Sequence, residues 1–160
     1  MIGSDVMMNR GPALQLDKPA LRQLYAYWDD KRARRAYPAR EDIDPLELRF
    51  ILGCLLLLDV ERSPALRFRY RLFGSEIAQR QGLDMTGKYA DEHPWPEFAA
   101  RTRTVYTGVL DTGRPSVIRR RELIGDRFFD HQSLVLPLGH DAVDMILVGV
   151  IFSPAEDTQP

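Results

Sequence analysis

The last third of the chain leaves the backbone few options. Residues 115–124 (PSVIRRRELI), 127–138 (RFFDHQSLVLPL) and 142–152 (AVDMILVGVIF) read as three strands. They are rich in β-branched and aromatic residues, and the links between them, Gly-Asp-Arg and Gly-His-Asp, are short and contain glycine. A parallel crossover needs a dozen or more residues. Links this short close only hairpins, so the three strands must lie side by side and antiparallel.

Two further strands come earlier. CLLLLDVE, from residue 54 to 61, is a short apolar run suited to a strand buried on both faces. After a Ser-Pro-Ala turn, LRFRYRLFG alternates strictly: Leu66, Phe68, Tyr70 and Leu72 on one face, Arg67, Arg69 and Arg71 on the other. Helices fill the space between the two groups of strands. Ser75 to Gly82 suits two helical turns, and PEFAARTRTVYTGVLDTG, about residues 96–112, places Phe98, Thr102, Val105, Tyr106 and Val109 along one side. Before the first strand, Asp44, Pro45 and Glu47 read as the start of a short helix ended by Gly53. An opening helix from residue 18 to 36 carries Leu21, Leu24, Tyr25 and Trp28 at helical spacing. That stripe has to bury against the rest of the domain or a second copy of the chain. Strands at both ends with helices between them indicate an α+β fold with an antiparallel sheet.

The chemistry-bearing motifs thin out on inspection. GLDMTGKY, residues 82–89, reads G-x-x-x-x-G-K, but Tyr89 stands where a phosphate loop needs Ser or Thr. It follows a helix rather than a strand, and the residues after it are kept from opening a helix by two prolines. It reads instead as a helix exit and a turn. Asp91-Glu92-His93 lacks a second histidine at ligand spacing and is expected to be a solvated loop. His140 falls in a hairpin, while His131 alternates with Phe129 and Ser133 and is placed to line a cavity. The single cysteine, Cys54, excludes an internal disulfide and sits in an apolar run, as a buried inert thiol. No serine lies in G-x-S-x-G. A net charge of -1 gives no global field for nucleic acid, and the arginine clusters 31–35 and 119–121 lack interleaved aromatic residues to stack on bases. The longest apolar run has nine residues, against ~20 for a membrane span, and no signal peptide is legible, so a cytoplasmic location is expected.

Three stretches together resemble a family of PAS domains that occur as single-domain proteins in alphaproteobacteria: residues 27–60 (YWDDKRARRAYPAREDIDPLELRFILGCLLLLDV), FRYRLFGSEIAQRQGLDMTGKY, and LVLPLGHDAVDMILVGVIF. The resemblance covers about residues 21–152, and its specific parts are the P-x-R-x-D-I-D-P opening, the R-Y-R-L-x-G-S strand exit, the D-x-T-G turn and the L-x-L-P-L strand. It implies a five-stranded antiparallel sheet in the order 2-1-5-4-3, with helices on one face plus an N-terminal helix. The chain then divides into a flexible arm (1–17), an amphipathic helix (18–40), a PAS domain (41–153) and a disordered tail (154–160).

What the resemblance implies about function is a stand-alone sensory or regulatory module in bacterial signalling. It would bind a small-molecule ligand, a signalling protein partner, or both, with no catalytic output. A homodimer through Leu21, Leu24, Tyr25 and Trp28 is the expected assembly. The residues expected to meet a ligand are Tyr70, Met85, Tyr89, Trp95, Tyr106, His131 and Ser133, with Arg71 and Arg119 as counter-ions for an anion. Flavin photochemistry is disfavoured because Cys54 lies outside the helical region, and haem because residues 96–112 contain no histidine. A ligand-free interaction module and a small cavity enzyme are the alternatives; the enzyme would need a carboxylate deep in the pocket.

Overall fold

A computed structural model describes residues 15–124 and 126–153. The expected tail, and all of the expected arm but its last three residues, lie outside the described residues. Those three are not loose: Leu16 is buried, and Asp17 lies 3.2 Å from Arg119.

The five strands are β1 (Leu55–Glu61), β2 (Arg67–Phe73), β3 (Ser116–Ile124), β4 (Arg127–Gly139) and β5 (Val143–Phe152). They form one antiparallel sheet in the order β2-β1-β5-β4-β3, as the resemblance implied. The helices are α1 (Pro19–Arg32), α2 (Ser75–Gln81) and α3 (Pro96–Thr112). Both α2 and α3 end on a glycine in the left-handed region, Gly82 and Gly113.

Strand alternation divides the sheet into two faces, each with its own core. Leu56 and Leu58 of β1 join the core under α2 and α3, with Phe68, Tyr106, Val135 and Ile146. Leu55 and Leu57 join the opposite core with Leu134, Leu136 and Leu147. The uniform apolarity of β1 is thus explained: both of its faces are covered. In β2 the register shifts between Leu57 and Leu58, so that Arg71 is the extra residue of a bulge.

The cover of the second face is α1. Leu21, Leu24 and Trp28 are 0%, 0% and 2% exposed, and all belong to that core. The Trp28 indole donates a 2.9 Å hydrogen bond to the carbonyl of Pro137 in β4. Gly149 of β5 makes this docking possible: a Cβ there would lie 2.7 Å from Leu24 and 2.9 Å from Leu21. The stripe is therefore satisfied within the chain, and only Tyr25 remains half-buried. This corrects the expectation that it joins two copies.

The first turn of α1 has no side-chain cap of its own, since Lys18 precedes Pro19. The sheet supplies one. Gln132, 3% exposed on the outer face of β4, accepts the N–H groups of Asp17 at 3.0 Å and Lys18 at 3.3 Å. At its other end α1 stops at Arg32, short of residue 36, because Ala33 turns to φ 55 and the Arg32 and Arg35 side chains bond nearby carbonyls.

The helix expected after Asp44 breaks into two 3₁₀ turns, Pro45–Leu48 and Leu52–Cys54. Asp44 does cap Leu46 at 3.0 Å, but Glu47 does not reach back to close a box. It is taken by the Tyr27 hydroxyl at 2.7 Å and by Lys31 at 3.3 Å. Leu48 and Ile51 both bury in the α1-side core, which holds this segment close to the sheet.

Candidate functional site

Between the sheet and the helices α2 and α3 lies a cavity of about 60 Å³. The strand register orders its floor into three rows. Leu56, Val148 and Val135 are cross-strand neighbours and form the first row. Val150, Ser133 and Ile118 form the second. Phe152, His131 and Arg120 form the third. Two residues of strand separate successive rows, about 6.7 Å. Polarity therefore rises along the cavity, from all-apolar, through one hydroxyl, to an imidazole and a guanidinium.

The roof repeats the trend. Ile77 of α2 and Val105 and Tyr106 of α3 are apolar or aromatic, and Gln81, Arg101 and Thr102 add polar groups. Tyr70 and Phe73 of β2 close the inner end. Tyr70 and Tyr106 interact through their hydroxyls. Burial pushes Tyr70 up to about 12, against a lowering by its bond with Tyr106. Tyr106 is driven well above 10 by burial first and then by Tyr70. Both are neutral at physiological pH. The His131 Nδ1 is 3.1 Å from Ser133 Oγ. Gln81 Oε1 is buried with no hydrogen-bond partner within the protein, an acceptor left for a guest or for water.

Among the described residues no aspartate or glutamate lines the cavity. Asp130, the neighbour of His131 in sequence, is turned to the outer face, where Arg121 bonds it at 2.7 Å and 2.8 Å.

Of the expected ligand-binding residues, Tyr70, Tyr106, His131 and Ser133 meet at the cavity. The rest do not reach it. Met85 is buried in the core below α2 and α3. Tyr89 lies along the edge of β2, its ring 3.6 Å from the Arg67 guanidinium and its hydroxyl bonded to Glu61 at 2.7 Å. Trp95 caps the start of α3 and packs against His93. Arg71 pairs with Asp59 and Arg119 with Asp17, both on the α1 side of the sheet. The cationic wall residues are instead Arg101 and Arg120. Alternation along β3 already set Arg120 on the face opposite Arg119 and Arg121, and Thr102 shares a helix face with Tyr106, so these two were readable. Gln81 was not: its meeting with the sheet depends on the tertiary placement of α2.

Other motifs resolve as structure. In GLDMTGKY, Gly82 caps α2 and Gly87, at φ 82, forms a turn whose N–H bonds the Tyr70 carbonyl at 2.7 Å. The tight turn is pinned by Asp84, which accepts from the N–H and hydroxyl of Thr86. The expectation of a solvated loop at 91–93 fails for His93, which is buried; its Nδ1 accepts the Trp95 N–H at 3.2 Å and its ring packs 4.4 Å from that of Phe98. Cys54 is half-buried, outside the cavity, and donates to Glu76 at 3.0 Å. Burial and then Glu76 push its thiol up to about 12, so it is unreactive. Among the described residues no helix is long and apolar enough to cross a membrane.

A profile described as PAS domain matches residues 16–151. Among solved structures, the chain is similar to the PAS domain of Bordetella pertussis BvgS, at 20% identity and TM-score 0.53, covering 70% of this chain and 88% of that one. It also resembles a Rhodobacter sphaeroides LOV protein, at 19% identity and TM-score 0.49, covering 69% and 67%. At these identities the likeness concerns the fold. The search of curated protein sequences gives no match.

Proposed function

The chain belongs to the PAS domain family, and on that premise we propose that it is a sensory module whose cavity takes a small ligand and whose occupancy is passed to a protein partner. The reading is carried by one observation: a cavity of about 60 Å³ whose walls run from apolar to cationic and which contains an unpartnered acceptor, Gln81 Oε1. A core filled only for stability has no reason to keep either feature. An engineered 150 Å³ cavity takes benzene. The ligand here is accordingly small, with an apolar part toward Val135 and Val148 and a polar part toward Gln81, Thr102 and Arg120.

Haem and flavin fit poorly. Cofactor-sized sites run to about 300–1,000 Å³, Cys54 is turned away to Glu76, and α3 carries no histidine. A partner or a second copy would meet surfaces other than the Leu21, Leu24 and Trp28 stripe, which the sheet occupies.

The small volume favours a second reading, a ligand-free interaction module. A stability screen with compounds of a few non-hydrogen atoms separates the two. A ligand at 100 times its Kd adds about 2.7 kcal/mol to folding. The sensory reading expects such a gain for a restricted chemical class, abolished by Ser133→Leu, which fills the middle row. The absence of any gain across acids, amides and alcohols would favour the ligand-free module.

A further inference from the structure

The inner end of the cavity holds one hydrogen-bond donor more than the protein uses. Tyr70 of β2 and Tyr106 of α3 wall it, 3% and 4% exposed. Their rings are fixed edge to face, Tyr70 on Phe73 at 5.1 Å and Tyr106 on Phe68 at 5.4 Å. Their hydroxyls bond each other, and among the described residues neither has a further partner. Two hydroxyls carry two protons, and their mutual bond uses one. A phenolic O–H is therefore left over where an unfilled donor is costly. Phenylalanine at both positions would pack the same rings and leave nothing unfilled.

The surroundings indicate what fills it. Leu56, Phe73, Val135 and Val148 wall this end and bring no charge. Arg120 stands in the third row, about 13 Å of strand from the first. Arg101 lies five residues before Tyr106, about 7.5 Å along α3. A carboxylate seated at the inner end would be buried without a cation. An alcohol would bring a further donor to an end that already has one in excess. A carbonyl oxygen accepts and donates nothing.

We propose that the ligand of this cavity is a small neutral carbonyl compound whose oxygen takes the spare proton of the Tyr70–Tyr106 pair. The proposal rests on the sensory reading, and it adds a second polar contact to the one at Gln81.

Acetone and isobutene test it, because they share a shape and only acetone carries the acceptor. Their affinities are measured by NMR titration of the wild-type chain and of a variant combining Tyr70→Phe with Tyr106→Phe. A single substitution would not serve, since the remaining hydroxyl can still turn to the ligand. The double variant keeps both rings and removes both hydroxyls together, so it creates no new unfilled group and is expected to fold, which its amide spectrum verifies. In the wild-type complex the carbonyl-carbon signal of isotope-labelled acetone is expected to move downfield, as it does when its oxygen is hydrogen-bonded. The double variant is expected to bind acetone about tenfold more weakly, and isobutene no more weakly. An acetone affinity that is unchanged, or that falls in step with that of isobutene, overturns the proposal. So does an unshifted carbonyl signal in the wild-type complex, or a wild-type chain that does not bind acetone. If isobutene or another compound of the stability screen still binds, the carbonyl class fails alone and the sensory reading stands. If nothing binds, both fail.

Discussion

Gln81→Leu should make the ligand-free protein more stable and abolish ligand binding. The two side chains are close in size and in helix propensity, and residue 81 is the last of α2, so the backbone loses nothing. What changes is Oε1, buried against the cavity without a partner in the protein. An unsatisfied buried acceptor costs about 1–3 kcal/mol. Gln81 is only half-buried as a residue, and a cavity water would recover part of the cost, so the lower end applies: a gain of ~1 kcal/mol. For a domain of this size that is roughly 2–4 °C in Tm. Urea unfolding monitored by tryptophan fluorescence measures it directly, because Trp28 sits in the core on the far side of the sheet and reports global unfolding. An unchanged slope with a raised midpoint is the expected signature. A loss of 1 kcal/mol or more would refute the reasoning, because it would mean that Oε1 already has a good partner and is not held open for a guest.

Gly149→Val should undock α1, since even a Cβ falls 2.7 Å from Leu24; about 1–3 kcal/mol of overpacking strain is expected in urea unfolding, with protease cleavage appearing near α1. Gly74→Ala should be worse, because its Cβ would lie 2.3 Å from the rigid carbonyl oxygen of Gly53, and the soluble yield together with the unfolding midpoint reads this out. Trp28→Phe leaves the Pro137 carbonyl buried without its donor and should cost about 1–3 kcal/mol by the same assay. Stability should also fall at alkaline pH. Tyr70 ionises near 10 in the unfolded chain and only at about 12 in the folded one, so its contribution is complete below pH 10 and is lost as pH rises toward 12. Tyr70→Phe should flatten that part of a urea-midpoint profile against pH.

The strands were legible because hairpin links and period-two alternation are local properties. The order of the sheet was not local; it came from the resemblance. Alternation also assigned His131 and Ser133 to one face and Asp130 to the other, and the structure keeps them there. The failures share a cause. Arg71 follows Tyr70 in an alternating strand, but the bulge and the Asp59 carboxylate that receives it depend on pairing with β1. The 44–53 segment has good helix-start chemistry, yet Tyr27 and Lys31 of α1 capture Glu47. His93 looked solvated because its cover, Trp95 and Phe98, comes from the first turn of the following helix. The stripe of α1 was read correctly as a burial demand. Gly149, three residues before the end of the last strand's apolar run, was the signal that the sheet itself had left room for it.

The account stands on the cavity being a binding site. Native mass spectrometry of the protein purified from its own host, beside the Ser133→Leu variant, tests this most directly. The account predicts a small non-covalent adduct on the wild-type chain that the variant lacks. A wild-type chain at its bare mass, or an adduct carried equally by the variant, would contradict it.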